Sequence, residues 1–424
     1  MAELDRKIGP VIHRIDQIPL PAVQFYTLNN GIPVYEVSAG TQDVVKVEII
    51  FRGGRLLEDV KLASRATCFM IKEETRLTRA AELAEKVDYY GASLGSDFNM
   101  DMITISALFL GKYQQEIFPI LSEVIHQPAF SETELKKYIE RNVSELNVEL
   151  TKNEVIAYRD FTEKIFGANH IYGYNSTPAL YRKLNPVNCE QFYNDYIGSD
   201  KCTIFLSGNI TEDTRNQLNS ALGKEKKDTF SKRYQPSRLP ITRQEWSYKG
   251  KGNFQNSIMI GRRLFTKDHP DYPGMVVLNT ILGGYFGSRL MKSIREEKGF
   301  TYSVHSLMDI SKWDGCLYIC TDVDPENTRS TLQEIYHQMN LLQQERMLPA
   351  ELEMVKNYII GNILNMLDGP FRSAKWIKSL IMHDLTMVQG GEIIEKIREV
   401  SSLEIQRLAQ IYLQKSTLSE LVVY

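Results

Sequence analysis

Two side chains near position 300 could do chemistry together. Arg295 and Tyr302 bracket the run Arg-Glu-Glu-Lys-Gly-Phe-Thr-Tyr. A guanidinium and a phenol both donate hydrogen bonds, and as a pair they can hold a carbonyl oxygen and the oxyanion that develops from it. A glycine-rich turn, Gly283-Gly-Tyr-Phe-Gly-Ser-Arg289, precedes them. That turn is not a phosphate loop, because it follows a helix-like run at 277–282 and has no Lys-Ser/Thr pair behind it. Taken alone, Arg295 beside Glu296, Glu297 and Lys298 reads as a solvated or salt-bridged helix residue. Tyr302, opening Tyr-Ser-Val-His-Ser, reads alone as strand packing.

Other chemistry is thin along the chain. The seven histidines are His13, His126, His170, His269, His305, His337 and His383. No two of them stand at the i,i+4 spacing that puts metal ligands on one helical face. His305, three residues after Tyr302, reads as a polar strand residue. The five cysteines are odd in number and scattered, which suits reduced thiols and an expected cytoplasmic location. Cys316 and Cys320 read as small buried side chains on one side of a strand. Cys68 reads as a buried helix residue rather than a nucleophile.

Composition sets the outer limits. Basic and acidic residues number 50 and 53, for a net charge of -3. No block of like charge points to nucleic acid or an anionic membrane surface. No apolar stretch approaches the roughly 18 residues of a membrane span. The opening Met-Ala-Glu-Leu-Asp-Arg-Lys-Ile lacks the apolar run of a signal peptide.

The elements that must position Arg295 and Tyr302 are specified twice. At 424 residues the chain is too long for one core and suits two domains of about 200 residues. Ser-Glu-Thr-Glu-Leu135 has its counterpart in Pro-Ala-Glu-Leu352, 217 residues on, each a helix start before a long amphipathic run. Tyr196 and Tyr412 close matching helices 216 residues apart, and each leads into a β-rich end. In the first half, alternation predicts strands at 32–37, 44–51 and 102–108. Helices are predicted at 63–72, 80–90, 113–126, 132–151 and 155–166. Strands before helices make the fold α+β. The polar, proline-bearing segment 223–240 reads as a linker between domains 1–222 and 241–424.

Along essentially its whole length the chain resembles the pitrilysin/insulinase family of zinc peptidases, the inverzincins. The resemblance rests on the repeat and on Gly-Gly…Gly-Ser-Arg-Leu…Arg295-Glu-Glu-Lys-Gly-x-x-Tyr302-Ser-Val. It rests also on Asn169-His-Ile-Tyr-Gly173, similar to a His-Pro-Tyr-Gly element of the family. It implies two homologous domains, each an antiparallel sheet packed against helices, arranged as a clamshell around a peptide. Active members bind zinc through His-x-x-Glu-His and a later glutamate, with the first glutamate as general base.

Here the aligned stretch is Ser64-Arg-Ala-Thr-Cys68. Ser64 and Cys68 fall at the histidines, Thr67 at the base, and Glu145, 77 residues beyond Cys68, near the third ligand as a remnant. At most two ligands remain where a catalytic zinc needs three and a water, so no cofactor is expected on this chain. The resemblance gives Arg295 and Tyr302 the role of a substrate and oxyanion clamp. In some bacterial members one subunit supplies the zinc and the other the Arg–Tyr pair. The expectation is therefore a non-catalytic subunit paired with a zinc-bearing homologue and a peptide substrate. Gly91, Ser93, Gly95 and Ser96 lie where the family offers an edge strand to an extended peptide. The competing expectation is a proteolytically inactive scaffold or peptide-binding protein.

Overall fold

The computed structural model describes residues 18–197, 202–224, 243–250 and 255–424. The expected linker lies outside the described residues except for Gly223 and Lys224, as does His13. The first half runs β1 (Gln24–Thr27), β2 (Pro33–Ser38), β3 (Val44–Arg52), α1 (Ala63–Met70), α2 (Ala80–Tyr89), β4 (Ser93–Phe98) and β5 (Met102–Leu110). It continues with α3 (Gln114–His126), α4 (Glu132–Glu149), α5 (Asn153–Phe166), α6 (Pro178–Tyr181), α7 (Pro186–Tyr196), β6 (Cys202–Gly208) and α8 (Glu212–Leu222). The second runs β7 (Glu245–Tyr248), β8 (Asn256–Leu264), α9 (Tyr272–Asn279), β9 (Val304–Ile310) and β10 (Gly315–Val323). It ends with α10 (Thr328–Gln344), α11 (Pro349–Met366), α12 (Gly369–Ile381), α13 (Met387–Glu399), α14 (Ser402–Tyr412) and β11 (Ser419–Val423).

The repeat is real in three dimensions. Helix α4 begins at 132 and α11 at 349, and α7 begins at 186 and α14 at 402. Ser131 Oγ accepts from the Glu134 N–H to start α4, whereas α11 starts on Pro349, whose missing N–H costs nothing there. The sheets run β1-β2-β6-β3-β5-β4 and β7-β11-β8-β10-β9. Both are antiparallel except for one pair each, β2 with β6 and β11 with β7. The last strand of each half enters beside an early one, β6 beside β2 and β11 beside β7, and that crossover makes the parallel pair.

Each sheet is covered on both faces, and the second cover is exchanged. Own-half helices α1, α3, α4 and α7 bury one face of the first sheet, and α9, α10, α11 and α14 one face of the second. The opposite faces are closed by a helix from the other half. Phe161 and Ala157 of α5 pack on Met259, Tyr318 and Leu421. Ala374 and Ile377 of α12 pack on Val37, Ile50 and Phe205. Strand β6 is accordingly buried at every position, as a doubly covered strand must be. Lys378 of α12 completes the exchange with a 2.7 Å ion pair to buried Glu48 on β3.

Candidate functional site

Helix α1 carries the positions aligned with the lost zinc motif, and its rotation is fixed at its first turn. Glu58 accepts from the Ser64 N–H at 3.2 Å, from Ser64 Oγ and from Tyr174 Oη. A carboxylate there also complements the positive end of the helix. Burial pushes the Glu58 carboxyl above its ordinary range. Ser64, Thr67 and Cys68 are all fully buried. Thr67 donates to the Cys189 carbonyl at 3.2 Å, and Cys68 to the Asp97 carbonyl at 3.4 Å. Burial drives the Cys68 thiol up to about 12, so a metal-binding thiolate is disfavoured.

The chain's expected zinc positions therefore face the core, which corrects the register inferred above. The α1 side chains that line the internal cavity are Arg65 and Phe69, at the same i,i+4 spacing one residue on. Glu145 is exposed on α4 and is not among the cavity's lining residues. Among the described residues, no three His, Cys, Asp or Glu side chains could hold a metal ion. A guanidinium and a phenyl ring offer zinc no ligand, so the α1 face does not fit the ion.

The cavity, of about 700 Å³, lies between the halves. Its walls include Arg65 and Phe69 of α1, Asp97 and Phe98 of β4, Tyr158 of α5, Met308 and Asp309 of β9, and His383. Strand β4 is a sheet edge, paired only with β5. Ser93, Gly95 and Ser96 are on it, and Gly91, with φ 59, turns the chain into it. A Cβ on Gly95 would meet Ser106 Oγ at 2.8 Å, so contact across the sheet already accounts for that glycine. The run Asn169–Gly173 belongs to the seam between the halves. His170 stacks on Phe166 at 5.2 Å. Tyr172 Oη donates to Asp101 and accepts from the Trp313 N–H at 3.2 Å.

Arg295 and Tyr302 are brought together, away from that cavity. Arg295 lies in the π-wound turn Met291–Glu297, which ends at Gly299 with φ 66. Its guanidinium stands over the Phe286 ring at 4.5 Å and the Tyr302 ring at 5.4 Å. It makes no ion pair or hydrogen bond among the described residues, so Glu296 and Glu297 do not neutralise it. Tyr302 is 86% exposed and Phe286 63%. Neither Arg295 nor Tyr302 lines the cavity. Edge strand β9 separates them from it by on the order of 20 Å, at about 3.3 Å per residue. Phe286 was not singled out in the sequence, where it looked like part of a turn.

A sequence profile described as "Peptidase M16 inactive domain" matches residues 183–359. The "Uncharacterized zinc protease YmxG" of Bacillus subtilis is 23% identical over 397 residues, covering 91% of this chain and 94% of that protein. These matches are to the pitrilysin (M16) family. The matched profile is that of an inactive domain, and the α1 face offers zinc no ligand. The chain is also similar to the "Non-peptidase homolog YmxG" of Helicobacter pylori, 26% identical over 283 residues, covering 63% and 62%. A crystal structure of a peptidase M16 inactive domain from Pseudomonas fluorescens superposes with a TM-score of 0.81. It is 19% identical and covers 95% of this chain and 98% of that one, a likeness of fold. Among the described residues no helix is long and apolar enough to cross a membrane.

Proposed function

We infer that this protein is the non-catalytic, substrate-binding subunit of a two-chain zinc peptidase. It lends Arg295 and Tyr302 to the zinc site of a homologous partner. The observation that carries this reading is the guanidinium held between two aromatic faces without a counter-ion, beside a phenol that is 86% exposed. A charged donor kept unpaired at a surface is already oriented for an acceptor that arrives from outside. Both groups would donate to the scissile carbonyl and to the oxyanion formed when the partner's zinc-bound water attacks. This chain would add the peptide-binding edge of β4, and no zinc of its own.

The test is hydrolysis of a quenched fluorescent peptide library by this chain, by a zinc-bearing homologue from the same organism, and by their mixture. Activity in the mixture alone, abolished by a chelator, is the expected result. No gain on mixing removes the complementation reading and leaves an inactive peptide-binding scaffold.

A further inference from the structure

We propose that Arg65 is a carboxylate anchor inside the cavity, so that this chain binds extended peptides by an acidic group in its own right. The proposal deepens the peptide-binding reading and rests on it. Three observations carry it. The Glu58 cap on Ser64 turns Arg65, with Phe69, to the cavity wall. Arg65 makes no ion pair or hydrogen bond among the described residues. The cavity's other charged groups are largely committed: Arg55 donates to the Ile171 and Tyr174 carbonyls at 3.2 and 2.9 Å and lies over the Tyr174 ring. Asp101 accepts from the Lys312 N–H at 3.0 Å, Asp309 from Tyr158 Oη at 3.0 Å, and Asp314 from Arg263.

Of the acids lining the cavity, Asp97 is the one with no such partner among the described residues, and it forms no ion pair with Arg65. Its presence lowers the affinity of the wall for a second carboxylate. The unpaired backbone edge of β4 runs into the same wall at Asp97 and Phe98. A peptide added to that edge would have its main chain paired by β4 and an apolar contact from Phe69. Its carboxylate would accept from the Arg65 fork, which suits a planar anion. The carboxylate can come from a peptide C-terminus or from an Asp or Glu side chain.

The experiment is fluorescence anisotropy with the full chain and a fluorescein-labelled decapeptide of Ala, Val and Ser. Three forms are compared: the free C-terminal acid, its amide, and the amide with one internal glutamate. One or both acidic forms should bind about tenfold or more tightly than the plain amide. The free acid alone would identify the terminus, and the glutamate form a side chain. Arg65→Ala should erase the preference, Arg65→Lys should keep part of it, and Asp97→Asn should raise affinity for the acidic forms. Equal affinity for all three peptides, a preference that survives Arg65→Ala, or no binding at all would overturn the proposal. Arg65→Ala acts here without any partner, whereas Arg295→Ala acts only in the mixture, so the two readings fail separately.

Discussion

Two regions singled out in the sequence, helix α1 and the segment around Arg295, leave their polar side chains in opposite surroundings. At α1, Ser64, Thr67 and Cys68 are fully buried and bonded to Glu58, the Cys189 carbonyl and the Asp97 carbonyl. At the other region, Arg295 is flanked by two rings with no ion pair among the described residues, and Tyr302 is almost wholly exposed. Buried polar groups need internal partners, because an unsatisfied one costs about 1–3 kcal/mol. Exposed donors have water and need none. Ser64, Thr67 and Cys68 are thus sealed in the core and leave Arg65 and Phe69 as the cavity face of α1, while Arg295 and Tyr302 stay open to solvent.

The largest effect that could break this contrast is a charge placed in the sealed region. Cys68→Asp would bury a carboxylate beside the Asp97 carbonyl oxygen, where the nearby cation, Lys72, is already paired with Glu73. It should cost about 3–5 kcal/mol, read as a fall in the urea midpoint. Tyr302→Asp at the open region should stay within about 0.5 kcal/mol. Comparable losses at both positions would mean that the open region is packed after all.

Function should show the reverse order. Tyr302→Phe should leave the melting temperature unchanged and lower kcat of the mixed enzyme by on the order of 10². Cys68→Ser should leave that kcat within about twofold, on the scale of an ordinary variant away from the site. A Cys68→Ser rate loss as large as that of Tyr302→Phe would sink the assignment.

A smaller effect concerns the cavity wall. Burial, then the charge of Lys267, depresses His383 from 6.5 to about 4. Its Nδ1 lies 2.7 Å from the Ser379 carbonyl, so the neutral ring carries its proton there. The folded value lies below the unfolded one, so the unfolded chain binds the extra proton. This contribution to stability is present above pH 6.5 and is lost as pH falls from 6.5 towards 4, by at most about 1.4 kcal/mol per pH unit. Urea unfolding of wild type and His383→Gln across that window should give curves that converge as pH falls; parallel curves would contradict it.

The smallest effect is at the β4 edge. Gly95→Ala need only rotate Ser106 Oγ, and should cost under about 1 kcal/mol. Gly261→Ala, on central strand β8, would drive its Cβ against the Leu317 carbonyl oxygen and should cost clearly more. Equal midpoints for the two variants would show that β4 is as constrained as a central strand.

Much of this was legible in the sequence. Period-2 alternation fixed β3 and β5, and the Ser131 and Pro349 starts fixed α4 and α11, because those signals are local. The exchange of α5 and α12 between the sheets was not legible, since chain order says nothing of which sheet a helix will cover. The α1 register was missed by one residue. Ser64/Cys68 and Arg65/Phe69 share the same spacing, and spacing alone cannot choose between them. The buried stripe Ala63, Ala66, Thr67 and Met70 was the signal that could have, because it assigns Arg65 and Phe69 to the other face. Phe286 escaped notice because a ring's hold on a cation is a contact across a turn rather than a pattern along it.

The most direct test of the central claim is kcat of the mixed enzyme carrying Arg295→Ala, with complex formation checked by sedimentation. The account predicts an intact complex whose kcat falls by about 10²–10³, only partly restored by Arg295→Lys because a lysine cannot present the same fork. An intact complex with an unchanged kcat would contradict it.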